Sequence, residues 1–184
     1  MRFDATPFVV MFVGFILVLT CAPARSGELP GAAPGQGPLP AREGLGGGGT
    51  FNLSKSDRCP VCGMFPARRP KHAAAMVLRD GRTYYFCSNG CLLRAWHLSD
   101  THLGVAAAAV NQMRVRDYFS GLTVSADAVW WVAGSDVIGP MGRAFVALDS
   151  PGAVKAFKER HGGSHVFKLE QVDQQLFDTL FAIQ

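Results

Sequence analysis

The sequence has little charge and few of the patterns that mark an enzyme. Only 17% of its 184 residues are charged, and the lysines and arginines behind the net charge of +4 are spread along the chain. A nucleic-acid-binding arm would cluster them, so we expect no nucleic-acid partner. There is no phosphate-binding glycine loop, no Ser-His-Asp grouping and no carboxylate pair with supporting context. We therefore expect a protein that is not an enzyme.

The sequence also lacks a long apolar run and a dense set of cysteines. Five cysteines in 184 residues are too few for a disulfide-dense miniprotein. The longest leading run, Phe8 to Thr20, has 13 residues, which is short for a membrane span of about 20 residues but suits a signal-peptide core. Residues 1–26 are predicted to be a signal peptide that directs the protein to the periplasm or elsewhere outside the cytoplasm.

Cys21 gives this leader a second interpretation. It follows Val18-Leu19-Thr20, which resembles a bacterial lipoprotein cleavage site, so lipidation of Cys21 would anchor the protein to a membrane. Cleavage after Ala24 or Ser26, which gives a secreted protein, and an uncleaved anchor are the alternatives. The next segment, residues 27–50, holds nine glycines and four prolines and is predicted to be a flexible linker.

Residues 51–184 carry the predicted domain, which is of the α+β class. Its first part reads as a hairpin with strands at Ala75–Arg79 and Thr83–Phe86, a helix capped by Asn89, and a strand from Val110 to Tyr118. Asp80-Gly81 is the signal for the hairpin turn. The order of elements is therefore β-β-α-β over about residues 57–118.

The same order of elements recurs over about residues 119–184. Strands are predicted at Ala128–Ala133, Arg143–Leu148 and His165–Leu169, and Ser150-Pro151 is a favoured start for the helix between the last two. A closing helix is predicted from Gln171 to Phe181. The fold class is thus two tandem β-β-α-β units.

Four of the five cysteines form two closely spaced pairs in the first unit. Cys59 and Cys62 are separated by Pro60 and Val61, and Cys87 and Cys91 lie where a strand ends and a helix begins. Such pairs, about 24 residues apart, fit a four-sulfur metal site, and a helix start favours a thiolate.

Met64 moves the interpretation from zinc toward copper. A thioether is a soft, uncharged ligand that suits Cu(I) and contributes little to zinc, and Met64 lies two residues after Cys62. Met141, in the glycine- and proline-rich loop 139–142, is a further candidate ligand. The candidate metal ligands are Cys62, Met64, Cys59, Cys87, Cys91 and Met141.

Three other uses of the cysteines stay open at this point. They could form structural disulfides, which are natural outside the cytoplasm, or hold a structural zinc ion. A thiol–disulfide oxidoreductase is the third alternative, although Pro66 would break the helix that a thioredoxin-like motif needs.

An ordered series of motifs resembles the NosL family, the periplasmic accessory proteins of nitrous oxide reductase. The series is Cys59-Pro-Val-Cys-Gly-Met64, Phe86-Cys87-Ser88, Val115-Arg-Asp117-Tyr118, Gly134-Ser-Asp136-Val-Ile-Gly-Pro-Met-Gly142 and His161-Gly-Gly163. Residues 59–96 also resemble the YHS and TRASH metal-binding segments. The sequence departs from the family pattern at two places, which are Cys91 and the Tyr118-Phe119 pair after Asp117.

The resemblance implies a Cu(I)-binding lipoprotein of two β-β-α-β units that supplies copper to nitrous oxide reductase. Family members are expected to bind Cu(I) through the cysteine and methionine of the Cys-Gly-Met triplet, here Cys62 and Met64. We therefore expect a copper metallochaperone whose partner is a copper enzyme, nitrous oxide reductase or its assembly complex.

Overall fold

The computed structural model describes Met1 and residues 37–184. The predicted signal peptide, the candidate lipidation site Cys21 and the first part of the predicted linker lie outside the described residues. Within the described part of the chain, no helix has both the length and the apolar character needed to cross a membrane.

The first half of the domain is a four-stranded antiparallel sheet with two helices. The strands are β1 (Ala74–Leu78), β2 (Thr83–Phe86), β3 (Val110–Arg116) and β4 (Thr123–Ser125), in the spatial order β2-β1-β3-β4. Helices α1 (Asn89–His97) and α2 (Ser99–Leu103) connect β2 to β3. The hairpin between β1 and β2 was predicted from Asp80-Gly81, and Gly81 has the positive φ of +88° that this turn requires.

The second half is a three-stranded antiparallel sheet with a small hairpin and two helices. The strands of the sheet are β5 (Trp130–Ser135), β8 (Val146–Leu148) and β9 (Gly162–Phe167), in the order β8-β5-β9. Between β5 and β8 lies the hairpin of β6 (Ile138–Gly139) and β7 (Gly142–Arg143). Helix α3 (Pro151–His161) precedes β9, and α4 (Gln174–Ala182) follows it.

The predicted α+β fold with two β-β-α-β units is confirmed. In both sheets the first strand of the unit lies between the second and the third, and the helix connects the second to the third. The predicted range of the first unit needs one correction: β4 lies beyond residue 118 but pairs with β3, so the first sheet extends to Ser125. A short strand that only completes a sheet edge carries too few residues for a periodic signal.

Part of the predicted linker lies against the domain. The Ala41 N–H donates to Thr83 O at 2.7 Å, and the Tyr85 hydroxyl donates to Gly44 O at 3.0 Å. These bonds connect residues 41–44 to β2, an edge strand that otherwise leaves backbone groups unpaired on one side. A segment free of the domain would therefore end before Ala41.

One apolar core runs through both units. Met76 and Leu92 of the first unit and Trp131, Phe145 and Leu180 of the second belong to the same cluster of buried side chains. Burying one such side chain fully contributes about 2–3 kcal/mol. The two units therefore share this core, which includes Cys87 and Cys91 on either side of the start of α1, and a second, smaller cluster around Phe157 lies within the second unit.

Candidate metal centre

The Cys59–Met64 segment forms a closed turn. The Cys59 N–H donates to Met64 O at 2.8 Å, and the Gly63 N–H donates to Cys59 O at 2.8 Å. Gly63 has a φ of +74°, a conformation that side chains disfavour, so glycine is needed at this point of the turn. The Arg58 guanidinium lies 4.2 Å from the centroid of the Phe65 ring and supports the turn from outside.

The second cysteine pair brackets the start of helix α1. Cys87 follows β2 directly, and the Ser88 hydroxyl accepts a hydrogen bond from the Cys91 N–H at 3.2 Å. Ser88 is thus the N-cap, which corrects the prediction of Asn89. The reason is the backbone: Ser88 has the extended conformation of a cap (φ −157°, ψ 160°), whereas Asn89 is the first helical residue. The Asn89 amide instead donates to Phe145 O of the second unit at 2.8 Å.

The structure brings all four cysteines of the domain into one group. The sulfurs of Cys59, Cys62, Cys87 and Cys91 all lie within 4.8 Å of one another. The Sγ–Sγ distances are 3.3 Å from Cys62 to Cys87, 3.7 Å from Cys87 to Cys91 and 3.9 Å from Cys91 to Cys62. A tetrahedral metal ion with metal–sulfur bonds of about 2.3 Å needs sulfurs about 3.8 Å apart. The group therefore has the dimensions of a tetrathiolate site.

The four sulfurs differ in their exposure. Cys59, Cys87 and Cys91 are buried, and only Cys62 is partly exposed. An incoming ligand can therefore reach the group through Cys62 first.

The proximity of the thiols changes their acidity. The pKa of Cys59 is lowered, because the thiols of Cys87 and then Cys91 stabilise its thiolate. The pKa values of Cys87 and Cys91 are raised, chiefly because each interacts with the Cys59 sulfur while protonated, and burial adds to the rise. Without a metal these shifts favour a thiolate at Cys59 beside protonated thiols at Cys87 and Cys91, and a cation would displace the protons of those two.

The geometry also bears on the alternative uses of the cysteines. All four are free thiols, and the Cys62 sulfur lies 3.3 Å from Cys87, which is closer than the 3.7 Å between Cys87 and its sequence partner Cys91. This arrangement favours one four-sulfur group over two separate disulfides. Cys59 and Cys62 lie in a turn that is followed by a 3₁₀ turn at Pro66–Arg68, so they lack the helix start of a thioredoxin-like motif.

The two candidate methionines lie in different places. Met64 is partly buried and packs against the core cluster that contains Cys59, Cys87 and Cys91. Met141 lies on the turn between β6 and β7 and lines a cavity whose lining includes none of the four cysteines. The cysteine group and Met141 therefore belong to separate features of the surface.

That cavity was not predicted from the sequence. It measures about 520 Å³ and lies between the two units, and its lining includes His72, Asn89, Tyr118, Phe119 and Met141. Burial and then the positive charges of Arg69 and Lys71 lower the pKa of His72, which keeps its ring neutral at pH 7. The signal available in the sequence was Tyr118-Phe119, two large aromatic residues at the end of the predicted strand Val110 to Tyr118.

Comparison with known proteins gives concordant matches. The family model NosL matches residues 50–177. The copper-binding lipoprotein NosL of Stutzerimonas stutzeri is 28% identical over 132 residues, which cover 70% of this chain and 68% of that protein. The crystal structure of the copper chaperone NosL from Shewanella denitrificans superimposes with a TM-score of 0.55 at 20% identity, covering 68% of this chain and 96% of the other. The last match bears on the fold alone.

Proposed function

The chain belongs to the NosL family, and we propose that it is a Cu(I)-binding metallochaperone that acts outside the cytoplasm. The observation that carries this proposal is the convergence of four cysteine sulfurs within 4.8 Å, one of them partly exposed. Thiolates are soft ligands that select Cu(I), and Met64 offers a thioether two residues from Cys62. The name of the S. stutzeri relative supports copper as the cargo.

We propose that copper leaves the group by ligand exchange at Cys62. Because Cys62 is the most exposed sulfur, a partner's sulfur or imidazole can bind the ion there before the buried sulfurs release it. Cys87 and Cys91 have raised pKa values, so they regain protons when copper departs. Proton uptake by these two thiols then opposes the return of the ion.

The proposed client is a copper enzyme, and nitrous oxide reductase or its assembly complex is the first candidate. The family match supports this choice, and the word lipoprotein in the name of the S. stutzeri relative supports an anchor at Cys21. A lipid on Cys21 would hold the domain at a membrane surface, where it could meet a client in the periplasm.

Competition for Cu(I) against a chelator of moderate affinity tests the metal site. We expect the purified protein to take about one Cu(I) per chain, and Cys62→Ser to weaken binding at least about tenfold, because it removes a ligand. Met64→Leu tests the thioether at nearly constant volume. Met141→Leu is the matched control for the thioether, since Met141 lines the cavity and none of the four cysteines does. Unchanged binding by Cys62→Ser would refute the proposed site.

The client is tested separately by copper transfer. We expect the Cu(I)-loaded protein to activate copper-free nitrous oxide reductase faster than an equal amount of Cu(I) held by the chelator alone. Equal rates would show that this enzyme is not the client, while the binding data would still define the cargo.

A structural zinc site is the second candidate, because four sulfurs at these distances also fit tetrahedral Zn²⁺. The two candidates differ in what metal removal does. A structural zinc site unfolds when it is stripped, whereas a carrier stays folded without its cargo. Circular dichroism of the protein before and after chelation, with the bound metal measured by mass spectrometry, distinguishes them.

A further inference from the structure

Exposed apolar side chains are concentrated beside the cavity. Within residues 37–184, five of the seven large apolar side chains that are exposed lie on the loop 118–122 and on the β6–β7 hairpin loop at 138–141, which includes strand β6. They are Tyr118, Phe119, Leu122, Ile138 and Met141, and three of them line the cavity itself. Single exposed apolar residues are ordinary, but a group of them around one concave site is typical of an interaction surface.

Hydrogen bonds hold the first of these loops in place. The buried carboxylate of Asp117 accepts bonds from the Ser120 N–H at 2.8 Å and the Asp149 N–H at 3.1 Å. The Tyr118 N–H donates to Ala147 O at 3.0 Å, and the Tyr118 ring packs edge-on against Phe157. The surface is therefore preformed, which lowers the entropy cost of binding a partner.

The second loop is held as well. The Ala144 N–H donates to Val137 O at 2.8 Å, and the Arg143 guanidinium donates to Ser135 O at 2.9 Å. The side chains of Ile138 and Met141 remain exposed although the hairpin that carries them is held by backbone hydrogen bonds.

The charged groups around the cavity are mostly basic. Lys71, Arg116 and Arg143 line it, and none of them has a carboxylate within 4.0 Å among residues 37–184. The one carboxylate side chain in the lining, Asp117, is buried and accepts hydrogen bonds from within the domain. The surface thus combines apolar side chains with positive charges that pair with no carboxylate among residues 37–184.

The cavity adjoins the cysteine group. Ser88, Asn89 and Gly90 line it, and these are the residues between Cys87 and Cys91. A partner bound in the cavity would therefore lie beside the helix start that holds two of the four sulfurs.

From these observations we propose that the cavity is the docking site for an extended segment of the client protein that carries apolar side chains flanked by carboxylates. The apolar side chains would cover Phe119, Met141 and their neighbours, and the carboxylates would pair with Lys71, Arg116 and Arg143. The inference rests on the proposed function in one respect, that the docked protein is the copper acceptor.

The test uses two fluorescent peptides with the same apolar centre, Met-Leu-Phe, flanked by three glutamates or by three lysines on each side. Fluorescence anisotropy with the purified protein should show binding of the glutamate peptide at least about tenfold tighter than the lysine peptide. Phe119→Ser and Met141→Ser should each weaken binding of the glutamate peptide by about tenfold, because both side chains line the cavity, and Lys71→Glu should reduce the preference for glutamate. Val166→Ser is the matched control, because Val166 is as exposed as Met141 but does not line the cavity.

Equal affinity for the two peptides, or an equal loss in Val166→Ser, would overturn the proposal. So would sedimentation data in which Phe119→Ser converts a dimer to a monomer, since the surface would then bind a second copy. Far-ultraviolet circular dichroism confirms that each variant is folded. Cu(I) binding is measured for every variant: if the glutamate peptide binds as expected but Cu(I) does not, the proposed function fails while the docking surface stands.

Discussion

The two β-β-α-β units begin their helices in the same way but carry different chemistry there. The Ser88 hydroxyl accepts a bond from the Cys91 N–H, and the Ser150 hydroxyl accepts one from the Ala153 N–H, both at 3.2 Å. Cys91 therefore corresponds to Ala153, and Cys87 corresponds to Asp149. The repeated turn is a scaffold, and thiols at two of its positions give the first unit two of its four sulfurs.

The units also differ in where they carry extra chain. In the first unit the extra segment precedes β1 and contains the Cys59–Met64 turn; in the second it lies between β5 and β8 and forms the β6–β7 hairpin. The first addition completes the cysteine group, and the second forms one wall of the cavity. The cysteine group and the cavity thus depend on separate additions to one repeated framework, and under the two proposals so would cargo binding and docking.

The largest expected effect is the loss of Cu(I) affinity when the thiols that distinguish the two helix starts, Cys87 and Cys91, are removed. In the Cys87→Ser/Cys91→Ala variant we expect Cu(I) affinity to fall more than about 1,000-fold, because two of four ligands are lost. Chelator competition measures it. The reciprocal Asp149→Cys/Ala153→Cys variant should gain no comparable site, since no second cysteine pair lies beside Ser150. Tight binding by that reciprocal variant would contradict the role given to the Cys59–Met64 turn.

The next largest expected effect is the pH dependence of Cu(I) binding by the cysteines of the first unit. Because the pKa values of Cys87 and Cys91 are raised, both are protonated near pH 7 without a metal, and binding releases their protons. The apparent affinity should therefore rise with pH, by up to about 100-fold per pH unit for two protons. Chelator competition between pH 6 and 8, corrected for protonation of the chelator, checks the slope. A flat profile would show that the two thiols do not titrate with the metal.

The contact between the units can be weakened at Asp117. Asp117→Ala removes a buried carboxylate that bonds Ser120 and the Asp149 backbone, so the free energy of unfolding should fall by about 2 kcal/mol. Urea denaturation measures the change. Asp127→Ala, at an exposed position in the turn before β5, is the control and should stay close to the unmodified protein. Equal losses in both variants would show that the Asp117 bonds contribute nothing specific.

The smallest expected effect comes from removing the two helix N-caps, Ser88 and Ser150, one at a time. Ser88→Ala and Ser150→Ala should each lower the free energy of unfolding by about 1 kcal/mol, because each removes an N-cap. Only Ser88→Ala should also weaken Cu(I) binding, since Ser88 holds the N–H of Cys91. Denaturation measures the free energy of unfolding of both variants, and chelator competition measures their Cu(I) affinities. Equal Cu(I) affinities would show that the cap does not position Cys91.

Much of the fold could be predicted from local signals. Asp80-Gly81 predicted the β1–β2 hairpin, and Ser150-Pro151 predicted the start of α3, because turn and cap residues act on the backbone next to them. Asn89 was the wrong cap because Ser88 and Asn89 are both good cap residues, and only the backbone conformation decides between them. The pairing of β4 with the first sheet was missed because its three residues carry no period.

The candidate site likewise has one part that could be predicted from the sequence and one part that could not. The spacing of the cysteine pairs predicted a shared four-sulfur site, and Met64 directed attention to copper. The cavity and its exposed rim could not be predicted, because Tyr118 and Met141 lie 23 positions apart and come to line one cavity only when the two units pack together.

The elements, their order and the residue types available for binding a soft metal follow from the amino-acid sequence alone. These follow from side-chain chemistry and from interactions over a few residues of chain. The tertiary structure decided that Cys62 and Cys87, 25 positions apart, place their sulfurs 3.3 Å from each other, and that an apolar, basic cavity lies beside them. The physical reason is that such distances depend on sheet pairing and on the shared core, which are set by contacts between residues far apart in the chain.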